Sequence, residues 1–140
     1  MYARCPGCGR TNRFSPERAS PKCGACHGPL DPKNAPFLVD DDGLDALIAS
    51  SPIPVLVDFY ADWCGPCRAL APHLAELAAR NAGRLFVAKV DTERSQRRMA
   101  ALGITGIPAL YLFKGGKIVA NTAGLQPPAA LDAFVRPHLG

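Results

Sequence analysis

No hydrophobic run in this sequence is long enough to cross a membrane, because Pro54, Asp58 or Gly103 interrupts the longest aliphatic segments. The first residues, MYARCPGC, lack the apolar stretch of a secretory signal core. The expected compartment is therefore the cytoplasm, where structural disulfides are disfavoured. There are no internal repeats and no glycine-rich nucleotide-binding motif, so no bound nucleotide cofactor is expected. Neither sign of charge dominates. Residues 1–34 carry six basic and two acidic side chains, whereas residues 35–140 hold ten of each. What is present is ordinary for a soluble globular chain of 140 residues, with 48% hydrophobic and 20% charged residues and 14 prolines. That length allows one domain with a real core and, at most, a small appendage.

All six cysteines fall in C-x-x-C pairs: Cys5/Cys8, Cys23/Cys26 and Cys64/Cys67. The first two pairs are 14 residues apart, close to the spacing of zinc ribbons, and the third stands alone 37 residues further on. The spacing suggests one metal site and one redox site. Two facing C-x-x-C turns can complete a tetrahedron around one zinc ion, and glycines 7, 9 and 24 supply the backbone freedom such turns need. A pair of structural disulfides is the alternative. His27, next to Cys26, is a possible substitute ligand but is expected at the surface. With zinc held by four thiolates, residues 1–34 keep a net charge of about +2. The large apolar residues here, Tyr2, Phe14 and Leu30, are too few for an independent core, so metal must supply much of the folding free energy. Residues 1–30 are taken as the ribbon, 31–36 (DPKNAP) as a proline-rich linker, and 37–140 as the main domain.

From Phe37 onward, strand-like and helix-like stretches alternate, the pattern of an α/β sandwich. Residues 37–39 are a short candidate strand. Asp40 to Asp42 then offer N-caps to a helix with Leu44, Leu47 and Ile48 on one face. Residues 55–60 (VLVDFY) are apolar on both faces except for Asp58, as expected of a buried central strand. A long helix follows the third cysteine pair and ends near residues 81–83, with Pro72 expected to kink it. Residues 85–90 and 109–113 are further core strands, and 95–102 a short helix. Residues 114–117 (KGGK) form a hairpin turn into an antiparallel strand over 118–122, and 128–138 make a closing helix.

The strand-to-helix junction gives the third pair its chemistry. A helix beginning near Cys64 puts the first thiol among unpaired N–H groups, which favour thiolate, so Cys64 is the expected nucleophile. Cys67, three residues on, shares its helix face and is the resolving thiol. Pro66 is tolerated in a first turn and stiffens the ring. A half zinc site lacks its second pair of ligands. An acid inside a buried strand needs a partner or a task, and Asp58 faces the helix that carries Cys67. Its desolvated carboxylate suits a proton acceptor for Cys67, with a structural ion pair as the alternative. Lys89 is the candidate counter-charge, unless it snorkels to solvent.

The segment VDFYADWCGPC at 57–67, followed by Gly106, Ile107 and Pro108, closely resembles thioredoxin, and the likeness covers roughly residues 36–140. With the amino-terminal cysteine quartet, the chain is similar to the zinc-containing bacterial thioredoxins often called thioredoxin 2. The resemblance implies a thioredoxin-like three-layer sandwich with a mixed central sheet flanked by helices. It also implies a redox disulfide between Cys64 and Cys67, a cis-proline at Pro108, and Asp58 with Lys89 as the buried acid and its lysine. Trp63, Gly65, Pro66, Gly106, Ile107, Pro108 and Gly124 would form the substrate-docking surface, Ile107 presenting backbone to an extended client strand. The sequence departs from the family's common pattern at Ala109 and Tyr60. Gly65-Pro66 resembles the reducing members. Electrons would come from an NADPH-dependent thioredoxin reductase and pass to disulfide-containing client proteins, with the protein acting as a monomer. Two further roles for the ribbon are weighed: delivery to nucleic acid or a protein partner, disfavoured for nucleic acid by the small charge and scarce aromatics, and oxidation sensing through loss of metal.

Overall fold

The structure, a computed structural model, describes residues 1–15, 17–31 and 33–139. Pro32 of the expected linker and Gly140 at the end of the main domain lie outside these residues. Strands β1 (Tyr2–Arg4) and β2 (Thr11–Arg13) form an antiparallel hairpin, with Tyr2 opposite Arg13. Lys22 and Pro29 bridge the second cysteine turn. Then follow β3 (Phe37–Leu38), α1 (Asp41–Ser50), β4 (Val55–Tyr60), α2 (Gly65–Arg80), β5 (Phe86–Asp91) and α3 (Arg97–Ala101). The chain closes with β6 (Ala109–Lys114), β7 (Lys117–Ala123), α4 (Pro128–Val135) and a 3-10 turn, Arg136–His138.

Five strands make one mixed sheet in the order β3-β5-β4-β6-β7, with β4 parallel to β5 and antiparallel to β6. Alternation sends the two faces of β4 into separate cores. Val55, Val57 and Phe59 pack with Leu44, Leu47 and Ile48 of α1, while Leu56 packs with Leu70, Leu74 and Leu77 of α2 and Leu131 of α4. The result is the expected three layers, each fully buried leucine contributing about 2 kcal/mol. Asp40 caps α1, its side chain accepting from Gly43 N at 2.7 Å. Both glycines of the β6–β7 turn have positive φ, 61° and 81°, which a two-residue hairpin of this kind requires.

Boundaries differ from expectation by a few residues. Val39 still donates to Lys89 O at 2.9 Å, but Asp40 turns the chain into its cap, so β3 stops at Leu38. α3 is shorter than 95–102 because Asp91 O accepts the N–H groups of Arg94 and Ser95, closing a turn that precedes the helix. α2 runs through Pro72 as one helix.

The amino-terminal segment is fastened to the sheet domain. Tyr2 packs against the α1-side core, Tyr2 N donates to Gly83 O at 3.3 Å, and the Arg4 guanidinium lies 4.3 Å from the centre of the Phe37 ring. Its own buried cluster is only Ala3, Cys5, Cys23 and Leu30, with Phe14 alongside. The described residues of the 31–36 segment form no helix or strand, as expected, but they are not a free tether. Asn34, at φ 56°, donates to Ala78 O and Leu85 O, both at 2.8 Å.

Candidate functional site

β4 delivers the chain to the third cysteine pair at the end of the central sheet. Cys64 is the N-cap of α2, in extended backbone at φ −84° and ψ 113°, and its sulfur accepts from Cys67 N at 3.2 Å. Pro66 occupies the first turn, where no N–H is missed. Cys64 and Cys67 are disulfide-bonded, with Cα atoms 5.2 Å apart, and both are nearly buried. Around the pair, the Ile107–Pro108 peptide bond is cis, and the Cys64 sulfur lies 3.9 Å from Ile107 O. Pro108 O in turn accepts from Gly124 N at 2.8 Å, so three separated segments meet at the disulfide. Gly124 needs its left-handed φ of 85° to make that turn.

Trp63 stands 68% exposed beside the pair, an unusual position for so large an apolar side chain. Its Nε1 donates to Glu93 at 2.8 Å, which holds the ring upright over a groove. That groove, of about 490 Å³, is lined by Trp63, Gln96, Met99, Ala100, Ile104 and Ile107, among others. Space beside Gly65, Gly106 and Gly124 is open, so nothing blocks an approaching chain there. Of the seven expected docking residues, Trp63, Gly106 and Ile107 line the groove, Pro108 and Gly124 meet at the cis-proline, and Gly65 and Pro66 lie between the two cysteines in the first turn of α2.

Asp58 is fully buried on the face of β4 that α2 covers, and neither carboxylate oxygen has a hydrogen-bond partner. Burial pushes its pKa up to about 6, with the Lys89 charge pulling the other way. Lys89 sits opposite Asp58 in the β4–β5 register, and its Nζ rests 4.4 Å from the centre of the Tyr60 ring. It is half-buried, placed between a buried acid and an aromatic face.

The other four cysteines converge. The Sγ atoms of Cys5, Cys8, Cys23 and Cys26 all lie within 4.8 Å of one another, with Cys5–Cys26 and Cys8–Cys23 at 3.6 Å. Sulfurs at tetrahedral zinc are about 3.8 Å apart, so the donor set has the size of such a site. The two turns are near copies. Cys5 O accepts from Gly9 N and Cys23 O from His27 N, and both acceptor turns end in a left-handed residue, at φ 81° and 63°. Backbone N–H groups aimed at the sulfurs lower the pKa of Cys5 and bring that of Cys23 down to about 5, whereas at Cys26 the backbone N–H is outweighed by the neighbouring sulfurs, which push its pKa up to about 11. The first two therefore give thiolates readily, and a bound metal would displace the proton of Cys26. His27 is exposed and stands outside the cluster.

The family model described as Thioredoxin matches residues 35–137. The chain belongs to the thioredoxin family. It is 39% identical over 141 aligned residues to Thioredoxin C-3 of Corynebacterium nephridii, covering 99% of this chain and 96% of that protein. This likeness therefore extends over the amino-terminal segment. Against Thioredoxin 1 of Chlorobaculum tepidum the identity is 48% over 84 residues, 60% of this chain and 83% of that one. Among solved structures, a mutant thioredoxin from Halobacterium salinarum NRC-1 superposes with a TM-score of 0.71 at 35% identity, covering 79% of this chain and 96% of that chain. The protein is thus a thioredoxin-type disulfide oxidoreductase with a redox-active cysteine pair, and four further cysteines are positioned to hold a metal ion.

Sequence reasoning missed Glu93, which holds Trp63, and the α3 residues Met99 and Ala100 in the groove of this thioredoxin. No spacing signal marks them. Glu93 is one exposed acid in a polar stretch, and its importance comes from a contact 30 residues away in sequence.

Proposed function

We propose that the protein reduces disulfides in client proteins through the Cys64/Cys67 dithiol. The observation that carries this is the disulfide at the N-terminus of α2, beneath the cis Ile107–Pro108 bond and beside the groove. In the reduced form, the Cys64 thiolate attacks one sulfur of a client disulfide, and the other client sulfur leaves as a thiolate that takes up a proton. Cys67 then attacks the Cys64 sulfur, breaking the mixed disulfide and releasing the second client thiolate. Two electrons have moved to the client, and Cys64 and Cys67 end as the disulfide.

Asp58 accepts the Cys67 proton in the second step, its raised pKa matching the task, and Lys89 modulates its charge. Trp63, Gly65, Pro66, Gly106, Ile107, Pro108 and Gly124 receive the client segment, with the main-chain groups of Ile107 available for strand-like pairing. Reduction of the oxidised form falls to an NADPH-dependent thioredoxin reductase, because the chain carries no nucleotide motif of its own. Cys5, Cys8, Cys23 and Cys26 hold one zinc ion, which cross-links residues 1–30 as a ribbon joined through 31–36 to the redox domain, 37–140. None of the helices among the described residues is long and apolar enough to cross a membrane, which accords with action in the cytoplasm. The working unit is the monomer, and nucleic acid is not a partner.

Insulin-disulfide reduction with dithiothreitol tests this directly. Wild-type protein accelerates precipitation of the insulin B chain, Cys64→Ser abolishes the effect, and Cys67→Ser accumulates mixed disulfides with the client. A wild-type rate equal to the dithiothreitol background would refute the reading.

A further inference from the structure

α3 is five residues long, none of its side chains is fully buried, and its N-cap residue Gln96 makes no side-chain cap bond. A helix so short has no stability of its own. It is held from outside, by α1. One oxygen of the Asp41 carboxylate accepts the N–H of Arg97 at 3.1 Å, and the other accepts the N–H of Arg98 at 3.1 Å. The donors that a local cap would satisfy are therefore met by a residue 56 positions earlier in the chain. The side chains repeat the connection. Arg97 bonds Asp42 at 2.9 Å and Asp45 at 2.8 Å, and Arg98 bonds Asp45 at 3.0 Å. These exposed pairs are each worth little, so the carboxylate on the main chain is the specific element.

What α3 does is form one wall of the groove beside the redox pair. Met99 and Ala100 lie on it, with Trp63, Ile104 and Ile107 completing the apolar lining. We propose that Asp41 is a positioning residue for client docking: by capping α3 from α1 it fixes the Met99 and Ala100 wall. It thereby governs recognition of disulfides carried on extended peptide segments with an apolar side chain beside the cysteine. A small disulfide reaches Cys64 without entering the groove and is indifferent to Asp41. The proposal rests on the reductase function above and goes beyond it by separating docking from chemistry.

The experiment compares full-length wild type, Asp41→Ala and Asp41→Asn as reductants of two probes: a cystine-linked peptide with leucine beside the cysteine, and dithiobis-nitrobenzoate. Because α3 has no stability to spare, losing the cap lowers its ordered fraction, and client affinity falls with that fraction. KM for the peptide rises roughly fivefold in Asp41→Ala, the factor equivalent to one helix cap, with kcat unchanged. Asp41→Asn keeps one of the two acceptor oxygens and turns its NH2 toward the other N–H, so its KM falls between those of wild type and Asp41→Ala. Reduction of dithiobis-nitrobenzoate is the same in all three, while the amides of Arg97 and Arg98 lose exchange protection in Asp41→Ala. An unchanged peptide KM in Asp41→Ala overturns the proposal, as does a parallel loss on both probes in the two variants, the mark of a general stability defect. A wild-type protein that reduces neither probe instead overturns the reductase function.

Discussion

Asp58→Asn is expected to make the oxidised protein more stable at neutral pH, and the size of the effect follows from the burial of one carboxylate. Asp58 is fully buried with both oxygens unpartnered, and desolvation raises its pKa from 3.8 to about 6 against the weaker pull of Lys89. Between these values the folded state binds a proton that the unfolded state has released. The stability associated with that proton is fully present below about pH 4 and is lost as pH rises through about 6. A rise of about two units corresponds to about 3 kcal/mol lost by pH 8. Asparagine has nearly the same shape and no charge to desolvate, but its amide N–H groups find no acceptor there, a cost of about 1 kcal/mol. The expected net gain at pH 8 is about 2 kcal/mol, or roughly 5–10 °C in Tm. Near pH 4 the variant is equal to wild type or weaker by about 1 kcal/mol. Urea unfolding of the oxidised forms at the two pH values measures both differences. A stability difference independent of pH, or a variant less stable at pH 8, would refute the reasoning. The same substitution removes the proposed proton acceptor for Cys67, so release of a mixed disulfide is expected to slow by on the order of tenfold or more.

Asn34→Gly keeps the left-handed backbone but deletes the two 2.8 Å bonds to Ala78 O and Leu85 O, of which Ala78 O keeps a bond from Asn81 N. It costs about 2 kcal/mol by chemical denaturation, and an unchanged midpoint would show that residues 31–36 do not anchor the ribbon. Stripping metal from the loaded protein with a chelator is expected to remove amide protection from β1 and β2 while β3 to β7 keep theirs. Among the described residues the ribbon's own cluster is Ala3, Cys5, Cys23 and Leu30, and Tyr2 packs against the main core. Loss of protection in β4 on the same treatment would contradict that division.

The parts of the fold legible in the sequence are those written in local chemistry. VLVDFY reads as a central strand because both of its faces are apolar, and the structure buries five of its six residues. Gly115 and Gly116 mark the β6–β7 turn because only glycine enters it without strain. The cysteine pairs are legible by spacing alone, since each C-x-x-C is a self-contained turn. Resemblance supplied Pro108 and Gly124, whose importance lies in a contact between separate segments, Gly124 N to Pro108 O, that no local pattern shows. Glu93, Asn34 and Asp41 were invisible for the same reason. Each is a polar residue in polar surroundings, and each acts on a partner 30 or more positions away.

Asp41 also changes the meaning of α1. By periodicity it is a packing helix, and Leu44, Leu47 and Ile48 do bury one face in the core. Its acids at 41, 42 and 45 hold α3, and its residues Gly43, Ala46, Leu47 and Ser50 line a cleft whose opposite wall is Arg4, Cys8 and Arg10 of the amino-terminal segment. One ten-residue helix therefore packs on the sheet, holds the wall of the proposed client groove and faces the four-cysteine turns across a cleft. A change in the sheet or in α3 must be accommodated by a helix whose buried face cannot shift without opening voids. The amino-terminal segment and its connection, with almost no core of their own, are fastened instead through Phe37, Gly83, Leu85 and Ala78, the last at the opposite end of α2 from Cys64 and Cys67. The disulfide lies at the other end of that helix, where β4 runs into α2.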